Sequence, residues 1–187
     1  METLERIASM GFPVDSSCEI GWTALHHGAL KGHKSVVHKL LHLGANPNVT
    51  NIVGITPLMV VSWEERIAKV LMIYGPSDWL AMEEPNRASI AHLLLRAGAE
   101  VNHVDAAFRS ALYYACANLQ KAVISELLRS GADAKLADFE DQLPEHAVRN
   151  GWEMDFGWTD GHADDAREFE REQAEILRML ASSHSRL

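Results

Sequence analysis

Histidine offers the most chemistry in this 187-residue chain. There are ten, and five of them, His26, His27, His33, His38 and His42, fall within residues 21–48. His38 and His42 stand four apart, so on a helix they share a face and could hold one metal ion. Two imidazoles are an incomplete ligand set, and residues 31–50 supply no acid or cysteine to join them. No metal site is expected. Cys18 and Cys116 lie far apart, form no motif, and read as reduced thiols acting as small hydrophobes. The stretch GWEMDFGWTDGHADD, 151–165, is acidic and glycine-bearing, but no D-x-D-x-D-G run ends at Gly157 or Gly161, which argues against calcium. No phosphate-binding glycine loop and no G-x-S-x-G elbow occurs. A catalytic centre would have to be assembled from His27, His146, Asp155, Asp160 and Arg87, and no spacing among them fixes a reaction. The chain reads as a non-enzyme without a cofactor.

Charge narrows the partners. The net charge is −9, and residues 138–175 alone hold thirteen acids and three bases, so that segment is −10 and the rest is close to neutral. Nucleic-acid binders need a basic face to displace counterions, and none is visible. No apolar run approaches the ~18–20 residues that cross a bilayer. The opening METLERIASMG lacks a signal-peptide core. These features predict no nucleic acid, no membrane, a cytoplasmic location that could extend to the nucleus, and a protein partner with a basic surface.

The elements that must carry these residues repeat. GWTALHHGALKGHKSVVHKLLHLGANPN spans 21–48, and GITPLMVV begins at Gly54, 33 residues after Gly21. LLHLGANPN, ending at Asn48, is matched by LLRAGAEVN, ending at Asn102, and by LLRSGADAK at 127–135. Gly98 and Gly131 are 33 apart, as are Phe108 and Asp141, which fill the slot of Gly21 and Gly54. Thr23, Thr56 and Ser110 can cap a first helix, and Pro57 suits its first position. Val36, Val37, Leu40 and Leu41 form an apolar stripe at helical spacing. So do Ile90, Leu93 and Leu94, and then Val123, Ile124, Leu127 and Leu128. Gly44, Gly98 and Gly131 stand where a helix must end with positive φ.

The 33-residue period with T-A/P-L-H and L-L-x-x-G-A resembles the ankyrin repeat. The resemblance implies an all-α ankyrin-repeat solenoid of about four and a half helix–turn–helix units with two aromatic-rich inserts, forming one domain over 1–187. A half repeat covers 2–15. Repeats follow at about 18–50, 51–104, 105–137 and 138–182. The second of these four carries 21 surplus residues, because Leu58 to Gly98 takes 40 residues where Leu25 to Gly44 takes 19. Its first helix is expected to run on to Tyr74, and Pro85 to precede its second. The last repeat carries an insert at about 151–165. There Leu143 replaces the capping Thr, and Glu145 the core Leu. By the same resemblance His26 and His33 order turns, and Asn48 and Asn102 take the hairpin position.

The family resemblance also implies a binding surface: the turn tips and the inward side of the first helices. The residues expected to bind a partner are Ile20, Trp22, Ile52, Val53, Ile55, Trp63, Arg109 and Tyr113. Trp22, Ile55 and Trp63 are expected to form one exposed apolar patch, since the repeat's own core does not require them. Trp79, Tyr114, Trp152 and Trp158 could instead line a small-molecule cleft between the inserts. The function expected is a protein-interaction module, an adaptor, inhibitor or effector, monomeric on its own.

Overall fold

The computed structural model describes residue 11 and residues 13–62, 84–150 and 163–183. Eight helices lie within them: α1 Ala24–Leu30, α2 Lys34–His42, α3 Pro57–Val61, α4 Glu84–Arg96, α5 Ala111–Ala117, α6 Lys121–Arg129, α7 Pro144–Asn150 and α8 Ala163–Ser183. The described residues contain no strand, only the isolated bridges Ser17–Thr23 and Val104–Ser110. Each odd helix packs on the even helix that follows it. Odd helices stack on one another in the order α1, α3, α5, α7, and the even helices α2, α4, α6 and α8 form the second layer. The result is an all-α solenoid, in which each unit buries its apolar face only against its neighbours.

Local chemistry starts and stops the helices. The Thr56 hydroxyl accepts the Met59 N–H at 3.3 Å, and the Ser110 hydroxyl accepts the Tyr113 N–H at 3.2 Å. Thr23 departs from this scheme: its hydroxyl and its N–H both lie on Nδ1 of His26, at 3.0 and 3.2 Å. Gly44 ends α2 with φ +88°, so that Ala45 N–H returns to Leu40 O and Gly44 N–H to Leu41 O. Gly98 and Gly131 repeat both bonds after α4 and α6.

The core runs the length of the stack. Leu25, Val37 and Leu40 lie in the first pair, and Leu58, Ile90 and Leu94 in the second. Leu112, Val123, Ile124 and Leu127 follow, then Val148, Ile176 and Leu180. Side-chain amides tie the hairpins together. Asn48 Oδ1 accepts the Glu100 N–H at 2.8 Å while its Nδ2 donates to Gly98 O at 3.0 Å. Asn102 does the same to Asp133 N–H and Gly131 O, at 2.8 and 3.2 Å. Asp15 holds the Asn46 N–H with both oxygens at 3.1 Å. Asn48 reaches across 52 residues where Asp15 and Asn102 each reach across 31.

Two expectations need correction. α3 closes at Val61 rather than running on to Tyr74: Ser62 caps it, returning its N–H to the carbonyls of Met59 and Val60. α4 begins at Glu84, so Pro85 lies in its first turn instead of ahead of it. Trp63, Trp79, Trp152 and Trp158, and with them both aromatic-rich inserts, lie outside the described residues.

Candidate partner-binding surface

Each first helix is preceded by a finger, a tight two-sided turn. Asn51 N–H bonds Ile55 O, Asp105 N–H bonds Arg109 O, and Asp138 N–H bonds Gln142 O, at 3.0, 3.1 and 3.0 Å. In the first finger Cys18 N–H bonds Trp22 O at 3.0 Å. A carboxylate or amide at the finger's first position braces the turn. Asn51, Asp105 and Asp138 each accept two backbone N–H groups through Oδ1. The fourth position has positive φ in every finger, at Gly21, Gly54, Phe108 and Asp141. A Cβ at Gly21 would come within 2.8 Å of Asn51 Cα, so that slot admits only glycine. Neighbouring fingers are hydrogen-bonded to one another: Ile52 N–H to Ile20 O, Ala106 N–H to Val53 O, and Phe139 N–H to Ala107 O.

The finger's second, third and fourth residues point out, and its fifth turns back over the helix. Ile20, Ile52 and Val53 are exposed, Ile52 by 71%. Trp22 and Ile55 are the fifth residues, and the exposed patch expected of them is not there: they are 2% and 3% exposed. The Trp22 ring packs on His26 and His27, with ring centres 5.4 Å away in each case. Both side chains belong to the core, because the fifth position faces the first helix of its own unit. Two exposed aromatic rings complete the row of tips, Phe108 at 58% and Phe139 at 59%. Sequence reasoning missed both. Phe108 had been aligned with the glycine slot, and an aromatic there was the available signal.

Polar groups behind the row are engaged. The Tyr114 hydroxyl donates to Asp105 Oδ2, and the ring is buried, so Tyr114 does not line an open cleft. Burial raises its pKa, as does the bond to Asp105, and the phenol stays neutral. Tyr113 is half-buried beside it; burial and the nearby Asp138 carboxylate push it up to about 12. The Arg109 guanidinium sits 5.7 Å over the Tyr113 ring and its Nε is 3.9 Å from Asp138. His26 donates from Nε2 to Ile55 O at 3.0 Å while Nδ1 accepts from Thr23, which fixes one neutral tautomer. Burial lowers its pKa accordingly. Met59 and His146 hold the same slot. Met59 Sδ accepts the Thr56 N–H at 3.5 Å, and His146 Nδ1 the Leu143 N–H at 2.9 Å. These imidazoles order turns, a structural task that leaves no nitrogen of His26 for catalysis. Among the described residues no three His, Cys, Asp or Glu side chains are grouped to hold a metal ion. No helix there is long and apolar enough to cross a membrane.

The ankyrin-repeat family model matches residues 20–52, the first finger through α2 and into the second finger. Residues 20–52 thus carry an ankyrin repeat. The chain is also similar to the human SH3 and multiple ankyrin repeat domains protein 2, 25% identical over 157 residues that cover 77% of this chain. The aligned part is 8% of that relative's length. Ankyrin repeats are in general protein-interaction modules rather than catalysts.

Proposed function

We propose that this ankyrin-repeat chain is a non-catalytic recognition module, an adaptor, inhibitor or effector, that binds a protein partner along its finger tips and the adjoining side of the first-helix layer. One observation carries the reading. Among the described residues, the large hydrophobic side chains left exposed are Ile20, Ile52, Val53, Phe108 and Phe139, and all five sit on fingers. Scattered exposed hydrophobics need no explanation, but a row of them on consecutive, mutually hydrogen-bonded turns is what an interface requires. Arg109 and Tyr113 stand behind the third finger and would border the contact.

The test is a double variant, Ile52→Asp with Val53→Asp. Both residues are exposed and lie outside the core, so the helical signal and urea midpoint should stay close to those of the parent. Proteins captured from lysate and cross-linked to the parent chain should be lost from the variant. Undiminished capture by the folded variant would place the binding surface elsewhere.

A further inference from the structure

The four finger tips form a row, and the first of them presents the exposed Glu19 and Ile20. The second finger presents Ile52 and Val53 and carries no charged residue. The third presents Phe108. The fourth presents Phe139 followed directly by Glu140 and Asp141, all three exposed. The acids deeper in these fingers are already neutralised or braced: Asp138 lies against Arg109, and Asp105 receives the Tyr114 hydroxyl and two backbone N–H groups. Two adjacent outward-facing acids therefore stand on the fourth finger, beside an exposed aromatic ring, against the single Glu19 on the first.

Phe108 sets the row apart from ordinary turns. A bulky side chain at φ +59° is a strained choice in a slot that glycine fills in two other fingers. Its ring is also left in water. Among the described residues the ring joins no part of the buried core, which points to a use outside the fold.

The stack's pitch constrains what can lie on it. Helices packed side by side in the first layer are about 8–10 Å apart, so successive fingers advance by that step. A polyproline-II segment rises about 9.3 Å in its three-residue turn and so sets every third side chain over successive fingers. A helix laid along the row would need about six residues per step at 1.5 Å each, out of phase with its own 3.6-residue turn.

We infer that the partner contributes an extended, polyproline-II-like segment. It has a large apolar side chain at every third residue where it crosses the second and third fingers, and lysine or arginine where it reaches Glu140 and Asp141 on the fourth. This rests on the finger-tip reading above and adds the partner's chemistry and its polarity along the stack.

The experiment is a selection of random 16-residue peptides displayed on phage against the full chain, repeated against Glu140→Lys/Asp141→Lys. Selected peptides should carry apolar residues three apart with a cationic end. The charge-reversed chain should select an acidic end in its place, and Phe108→Gly should bind the parent's peptides about 30-fold more weakly, the loss usual for an aromatic hot spot. Peptides with no cationic bias, or with the same bias on the charge-reversed chain, overturn the inference. So does a selection that yields no binder. If the selected peptides bind Ile52→Asp/Val53→Asp undiminished, the finger-tip reading itself fails. If that variant loses its lysate partner while no extended peptide is ever selected, the finger-tip reading stands and only this inference falls.

Discussion

Trp22 is buried against His26 and His27, and Phe108 stands exposed on the third finger. The 33-residue alignment located Trp22 on a turn, and a tryptophan on a turn reads as an interface residue. Which way a turn residue points is set by the finger's closure, the Cys18 N–H to Trp22 O bond, and no hydrophobic periodicity records that. Truncating Trp22 should therefore act as a core deletion: Trp22→Ala should lose about 3–5 kcal/mol of stability in urea titration, with Ile55→Ala losing about 2–4. A loss under 1 kcal/mol for Trp22→Ala would restore it to the surface. Phe108→Gly should do the reverse. It removes the left-handed strain of a bulky residue, about 1–2 kcal/mol, but adds the chain entropy of glycine, about 0.5–1 kcal/mol. The variant should be equal to the parent in stability or more stable by about 1 kcal/mol, while binding falls. Destabilisation beyond 1 kcal/mol would mean that the ring packs within the fold.

At the scale of elements, caps and terminators were legible and connections were not. Pro57, Thr56, Ser110 and the glycines after α2, α4 and α6 do locally what their residue types predict, because each acts on backbone groups within four residues of itself. The end of α3 was not legible, since the apolar spacing of Ile67, Val70 and Leu71 continues a helical pattern past Ser62, where the chain stops it. Histidines at turn positions make the turns pH-sensitive. Burial holds His26 neutral in the fold, with its pKa below the ordinary 6.5, and His27 shifts the same way for the same main reason. The unfolded chain takes up protons below pH 6.5 that the folded chain refuses, so stability is full above that pH and falls as the solution is acidified towards the folded pKa. The urea midpoint should drop between pH 7.5 and 5, and less steeply in His26→Gln. A parallel profile in the variant would assign the pH dependence to other groups. Between units, Asn48→Ala removes two hairpin-to-hairpin bonds at a partly solvated site and should cost about 1 kcal/mol.

Over the whole molecule, the charge that suggested a basic partner also acts on the fold itself. Residues 138–175, which are net −10, run from the fourth finger through α7 into most of α8. Ion pairing to the body of the stack, such as Lys121 Nζ to Glu175 at 2.5 Å, offsets little of that, because an exposed pair is worth under about 1 kcal/mol. A solenoid's stability is a sum of unit and neighbour terms, so repulsion confined to one end weakens that end without unfolding the middle. α5 packs against α3, α6 and α7 and has six of its seven residues buried, which places it at the protected centre. Amides of α5 should thus exchange most slowly. Those of α7 and α8 should exchange faster in dilute buffer and slow selectively as salt rises, since at about 0.15 M the Debye length shrinks to about 8 Å and the acids cease to feel one another across the helices. Hydrogen exchange in low and physiological salt, read helix by helix, tests this. Uniform slowing in all helices would show that the stack opens as one unit, and an unresponsive α7 and α8 would show that the acids repel too weakly to loosen the end they occupy.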